Sequence, residues 1–205
     1  MLGLAVSTFL WPQHQRLYKF FCAFIADQLS IQRHDAAYLE IGAGAGLYAL
    51  KALETLPFNN FAFVDISEQG LRMTKEMLHG SRTETKQIYS RSDFLEYEPN
   101  TLFDIITANE VIQATEDPLK FLLKCKCLIK NTGKVYISSP INSPVVDFVT
   151  AFASKREIDH VIGEAGFDIE KDVIIPYDGY TLEVCEKRRL PINVAYILKP
   201  KGSEL

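Results

Sequence analysis

The chain has 205 residues, 47% of them hydrophobic and 23% charged, which suits one domain with a full-sized core. A net charge of −4 with no basic run disfavours nucleic acid or an anionic membrane surface as the main partner. The four cysteines, Cys22, Cys125, Cys127 and Cys185, form no metal-ligand pattern and read as free thiols of a reducing compartment, so a cytoplasmic location is expected.

Residues 1–11 are apolar but lack the basic lead-in of a signal peptide, and the run is too short to span a bilayer. Residues 1–30 are expected to form a helical arm packed on a single domain of residues 31–205. The apolar start either folds over a pocket or serves as the contact of a homodimer. Leu17, Phe20, Phe21, Phe24, Ile25 and Leu29 recur at helical spacing and predict a helix over 12–29. A strand is predicted at 37–41, then the glycine turn Gly42-Ala43-Gly44-Ala45-Gly46, then a helix over 47–56. The next strand covers 61–64 and ends in Asp65. Ser67 is placed to cap a helix over 68–79 that Gly80 closes.

A weak third strand at 87–90 leads to Ser92-Asp93-Phe94, and the β-branched run 103–108 fits a sheet centre. Pro118 starts a helix to residue 129, Asn131-Thr132-Gly133 reads as a turn, and a fifth strand covers 134–138. A helix over 158–165 ends at Gly166. Strands at 172–176 and 194–198 flank a short helix over 182–189. Cys125 and Cys127 lie two apart on a predicted helix and so point to different faces. Helix and strand alternate throughout, which predicts a doubly wound α/β fold with helices on both faces of a mostly parallel sheet.

The glycine turn narrows the ligand. A dinucleotide fingerprint needs G-x-G-x-x-G, and Leu47 stands at its third glycine position. Glu40, two residues before Gly42, would repel a pyrophosphate but suits a ligand with a cationic amine and a sulfonium, such as S-adenosylmethionine. The run Glu40-Ile41-Gly42-Ala43-Gly44-Ala45-Gly46 resembles the first motif of the class I S-adenosylmethionine-dependent methyltransferases, small-molecule branch. The resemblance spans about residues 37–140. It implies the seven-stranded order of that family, with one antiparallel strand in the last pair.

The resemblance also implies roles for residues at strand ends. Glu40, Gly42, Ala43, Gly44 and Gly46 would meet the methionine part of the cofactor. Asp65 would chelate the ribose, with Ile66 against the adenine face. Asp93 and Phe94 would hold the adenine amino group and ring, and Asn109 and Glu110 would lie under the sulfonium. Taken singly, Asp65 reads equally well as a turn acid and Asp93 as a loop acid; their joint placement after successive strands favours the cofactor reading. The product would be S-adenosylhomocysteine.

On the acceptor side, relatives often carry Glu-x-x-Glu-His after the fourth strand. Here the run is Glu110-Val111-Ile112-Gln113-Ala114, so a histidine base is missing from that position. His14 and Tyr18, four apart on the first helix, share a face and could act instead, although His14 by position alone reads as a surface residue. Asn142 and Asp147, in a proline-stiffened loop after the fifth strand, offer an amide and a carboxylate. That loop and residues 189–193 are similar to stretches in methyltransferases of biosynthetic gene clusters, implying specialised metabolism and a small, free or carrier-bound substrate. Phe148, Phe152, Tyr177 and Tyr180 either line an apolar pocket or pack the core.

Three readings follow. The first is methyl transfer to a small metabolite. The second is internal displacement or elimination within the same cofactor, a cyclase or lyase, recognised by release of methylthioadenosine. The third, a non-catalytic accessory subunit, is disfavoured by the intact glycine motif. No metal is expected.

Overall fold

The computed structural model describes residues 11–31, 34–143 and 149–202. Its strands are β1 (Ala37–Ile41), β2 (Asn60–Asp65), β3 (Lys86–Arg91), β4 (Phe103–Asn109), β5 (Ile129–Ile141), β6 (Phe167–Pro176) and β7 (Ile192–Pro200). Its helices are α1 (Pro12–Asp27), α2 (Leu47–Thr55), α3 (Glu68–Met77), α4 (Pro118–Leu128), α5 (Lys155–Glu164) and α6 (Leu182–Arg188). The seven strands form one sheet in the order β3-β2-β1-β4-β5-β7-β6, with β7 antiparallel to both neighbours and the other pairs parallel. The order reverses between β1 and β4, and a doubly wound sheet opens its ligand crevice at that point, beyond the carboxyl ends of the strands.

Helices cover both faces, which is why every position of β1 and β4 is buried. On one face Leu17, Phe21, Phe24 and Ile25 of α1 share a core with Tyr38, Phe61, Phe63 and Ile105. Each such side chain contributes about 1.5–3 kcal/mol on burial. The Tyr136 ring of β5 anchors α1, with Phe21 edge-on at 5.2 Å and Phe24 stacked at 5.7 Å. On the other face Phe121, Leu122, Ile158, Ile162 and Cys185 pack against Leu39, Ile106 and Val135. Cys125 is buried and Cys127 exposed, as two-residue spacing on a helix demands, and all four cysteines are free.

The sequence and structure part company at the start of β5. Residues 131–133, read above as a turn, lie inside a strand that begins at Ile129. The ladder takes up the extra residues as an irregularity, pairing Phe103 with Ile129 but Ile105 with Lys134. Gly133 permits this, since a Cβ there would stand 2.8 Å from the Ile129 side chain and 2.9 Å from the Asp104 carbonyl. The irregular segment also places Lys130 Nζ 2.9 Å from the buried Asp104 carboxylate, which accepts the Ala37 N–H at 2.9 Å as well. Tertiary pairing thus overrides a local turn signal.

Candidate cofactor and acceptor site

β1 delivers its last residues to the crevice and the chain must then turn sharply into α2. Gly42, Gly44 and Gly46 all take the left-handed conformation, at φ +67°, +53° and +81°. Two of them are also sterically confined. A Cβ on Gly42 would meet Val111 Cγ2 at 2.5 Å, and one on Gly46 would meet Thr74 Cα at 2.9 Å. Gly44 has only the Gly42 carbonyl, at 3.8 Å, so its outer side is open. Thr74 Oγ1 donates to the Gly44 carbonyl at 3.1 Å and ties the turn to α3.

Asp65 holds the same turn from β2. Its Oδ2 accepts the Gly44 N–H at 2.9 Å and its Oδ1 the Ser67 N–H at 2.8 Å. A carboxylate oxygen has two lone pairs, so each keeps an acceptor position. Asp65 also lines a cavity of about 660 Å³ that runs from Gly42 past Ile66, Asp93 and Phe94 to Thr115, Asp117 and Phe121. That volume lies in the range of small-ligand pockets. Ile66 is 72% exposed on its wall, an apolar side chain without a protein partner on that side. Asp93 Oδ1 caps the following turn by accepting the Leu95 N–H at 2.9 Å, and Phe94 is buried against Phe121 at 5.0 Å.

Glu40 is buried at 2% exposure beneath the turn. Its Oε2 accepts from the Tyr38 hydroxyl at 2.8 Å, and that hydroxyl lies 2.7 Å from Thr107 Oγ1. Burial pushes the Glu40 carboxyl up to about 8, with the Tyr38 hydrogen bond opposing and the Asp65 charge adding to the rise. Asn109 ends β4 beside it, and neither atom of its buried amide has a protein partner. Glu40, Gly42 to Gly46, Tyr48 and Asn109 enclose a small cavity of about 30 Å³, room for a ligand group rather than a ligand. An orphaned amide and a buried carboxyl around an open glycine turn fit a ligand carrying an amine and a carboxylate.

Beyond Asn109 the chain reaches α1. Glu110 adopts φ +53° and His14 lies close enough to pull its carboxyl pKa down against the larger upward push of burial. Tyr18 stands edge-on to Tyr48 at 5.3 Å and shares a hydrogen bond with Cys22. Burial takes the Tyr18 phenol up to about 12, out of the range of a base near neutrality. His14 and Tyr18 therefore come to the site from one face of α1. Asn142 does not join them. It lines a separate cavity of about 310 Å³ with Ala153, Ser154, Lys155 and Arg189. Asp147 and Phe148 lie outside the described residues. Phe152 is a core residue, and Tyr177 and Tyr180 pair with each other at 6.1 Å. Gln113 is buried: its amide nitrogen donates to the Glu110 carbonyl at 2.7 Å, while its Oε1 has no protein partner.

Several contributors were missed by sequence reasoning. Tyr38 reaches Glu40, and Thr107 reaches the Tyr38 hydroxyl, because alternate residues of paired strands share a face; the β1–β4 pairing, once known, would have found them. Thr74, Val111 and Asn193 are brought in by tertiary contact alone. Among the described residues no cluster of His, Cys, Asp and Glu could hold a metal ion.

Residues 39–135 match the family model of a methyltransferase domain. The ubiquinone biosynthesis O-methyltransferase of Vibrio parahaemolyticus is 26% identical over 140 residues, covering 65% of this chain and 55% of that protein. The chain thus spans about half the length of the curated relatives it matches. An S-adenosylmethionine-dependent methyltransferase from Clostridium acetobutylicum superposes with a TM-score of 0.68 at 14% identity, covering 90% of this chain and 92% of that one. The [4+2]-cyclase SpnF superposes with a TM-score of 0.69 at 14% identity, covering 92% and 83%. At this identity the likeness is one of fold.

Proposed function

We propose that this chain, which shares its fold with S-adenosylmethionine-dependent methyltransferases and matches a methyltransferase-domain model over residues 39–135, is itself such an enzyme and transfers a methyl group to a small metabolite. The observation that carries the reading is the glycine turn opening onto a cavity whose wall presents Asp65, Ile66, Asp93 and Phe94 in strand order. When bound, S-adenosylmethionine supplies an electrophilic methyl group on a sulfonium.

The residues of the chain bind, orient and exclude water. Glu40 and the Asn109 amide would take the amine and carboxylate of the methionine part. Asp65 would receive the ribose hydroxyls on its free lone pairs, Ile66 would cover the adenine face, and Asp93 with Phe94 would hold its far edge. Gly44 would let the backbone pass close to the ligand. Holding donor and acceptor in line supplies on the order of 7–11 kcal/mol in well-oriented systems, so no elaborate catalytic triad is needed.

A second reading, cyclisation or elimination on the same cofactor, is favoured by one observation: Gln113 and Ala114 stand where the resemblance implies a Glu-His pair. The small acceptor could be free or carrier-bound, and a cytoplasmic protein, monomeric or paired through its apolar N-terminus, fits the free thiols. Among the described residues no helix is long and apolar enough to cross a membrane.

Calorimetric titration with S-adenosylmethionine and S-adenosylhomocysteine tests the reading, with mass spectrometry of nucleosides released during incubation. Micromolar binding without turnover is the expected result in the absence of acceptor. Release of methylthioadenosine selects the second reading, and absence of binding removes both.

A further inference from the structure

We propose that the cavity lined by Asn142 and Arg189 is a binding site for an organic carboxylate with an apolar body, separate from the cofactor site. It stands apart from the methyl-transfer reading, and its test needs no turnover.

The cavity holds about 310 Å³, at the lower end of the range of small-ligand pockets. It lies where Ile141, the last residue of β5, pairs with Ile192, the first of β7. Leu182 and Glu186, one turn apart on α6, and Arg189 at the C-cap of that helix also line it. Ile174 of β6 completes the apolar wall and is left 36% exposed. None of these residues lines the cavities at the glycine turn.

Two polar groups stand ready. Among the described residues four non-glycine residues have left-handed backbones, and two of them, Asn142 at φ +54° and Arg189 at φ +53°, meet at this one cavity. Such conformations gather at ligand sites. Glycine would take the Arg189 backbone at no steric cost. Nor does the helix end account for the arginine, because Lys187 and Arg188 already place two cations in the last turn. The Asn142 N–H donates to the Phe152 carbonyl at 3.0 Å, which fixes the backbone that carries the amide. Among the described residues no ion pair or hydrogen bond engages the Arg189 guanidinium or the Asn142 side chain.

Charge decides the ligand class. Lys155 also lines the cavity, but its ammonium is taken by Asp159 at 2.8 Å and Asp172 at 2.9 Å. Glu186 adds a negative charge to the wall. One guanidinium is therefore left for a ligand, and its planar fork matches a carboxylate bidentately. A phosphate dianion would need a second cation and would meet Glu186 instead. The isoleucines and Leu182 take the apolar body.

Calorimetry of the full chain with octanoate tests this, at mildly alkaline pH where octyl phosphate is a dianion. Octanoate should bind at one site, at least about tenfold tighter than 1-octanol and no weaker than octyl phosphate. Arg189→Gly should weaken octanoate about 10–100-fold without lowering the denaturation midpoint, because glycine relieves the left-handed backbone. A merely structural arginine would lower the midpoint and leave octanoate affinity alone. Glu186→Gln, which leaves the backbone untouched, should tighten octanoate up to about fivefold. Saturating S-adenosylhomocysteine should not change octanoate affinity, since the cavities share no lining residue. The proposal is overturned by a wild type that does not bind octanoate, by equal binding of 1-octanol, by tighter binding of octyl phosphate, by unchanged affinity in Arg189→Gly, or by displacement with S-adenosylhomocysteine. Failure of S-adenosylhomocysteine itself to bind removes the methyl-transfer reading and leaves the octanoate result standing.

Discussion

The two halves of the crevice are built on opposite plans. The half proposed to hold the cofactor draws its residues from one stretch, Glu40 to Asn109, at or near the ends of successive strands, and its turn is tied by hydrogen bonds. Asp65 accepts the Gly44 N–H and Thr74 donates to the Gly44 carbonyl, and together they hold the glycine backbone. The half towards α1 and β7 brings together residues far apart in the chain: Asn193 Nδ2 lies 3.5 Å from Oε1 of Glu110, whose backbone is left-handed, and His14 is near. The first half is held by backbone conformation and contacts between consecutive strands, the second by the packing of a helix and a distant strand.

Variants that hit one half and spare the other test this division. Phe21→Ala removes a fully buried ring that touches both Tyr48 and Tyr136. It should cost about 3–5 kcal/mol, read as a drop in the denaturation midpoint. Cofactor affinity should change little, because α1 supplies no residue to the large cavity. A large loss of affinity would mean that α1 supports the cofactor half as well.

Gly46→Val should act in the other half. The side chain meets Thr74 Cα and the backbone is left-handed, so about 1–2 kcal/mol of conformational strain adds to about 1–3 kcal/mol of overpacking. Calorimetry should show cofactor affinity reduced roughly 100-fold, since about 1.4 kcal/mol corresponds to tenfold. Gly44→Ala, with open space beside it, should carry only the conformational part. Equal effects at the two glycines would show that the turn is not sterically confined at Gly46.

Asp65→Ala removes acceptors for the Gly44 and Ser67 N–H groups as well as the proposed ribose contacts. A loss of about 1–3 kcal/mol in cofactor binding is expected, the scale for hydrogen bonds to a charged group. An unchanged dissociation constant would place the ribose elsewhere.

Glu40 tests the cofactor half through pH. Its carboxyl sits at about 8 in the folded protein, above its unfolded value, so the folded state binds the proton more tightly. Stability from this group is full below the ordinary carboxylate range and declines as pH rises to about 8. Glu40→Gln should flatten that decline in denaturation midpoints measured across the window. A cationic amine bound beside Glu40 favours its carboxylate, so cofactor binding near neutrality should release protons, seen as a dependence of binding enthalpy on buffer. Loss of that dependence in Glu40→Gln is the expected control.

Most of the fold was legible because its signals are local. Ser67 caps α3 through the Gly70 N–H, Pro118 opens α4, and the predicted strand at 37–41 coincides with β1. The misread turn at 131–133 has an equally local cause: Asn, Thr and Gly favour a turn until a neighbouring strand pairs with them. That Gly42, Asp65, Ile66, Asp93 and Phe94 line one cavity was legible because a parallel sheet places successive strand ends along one edge, so order in the chain becomes order in space.

By itself, then, the sequence determined the alternation of strand and helix, the glycine turn and the acids that follow each strand, since these depend on periodicity and on backbone conformations only glycine adopts readily. Only the tertiary structure decided that Asn142 faces a separate cavity, that Gln113 is buried with its amide on the Glu110 carbonyl, and that Glu110 lies near His14 and Asn193. Those contacts join residues far apart in the chain. Their geometry follows from how α1 and β7 pack on the sheet, which no local pattern encodes.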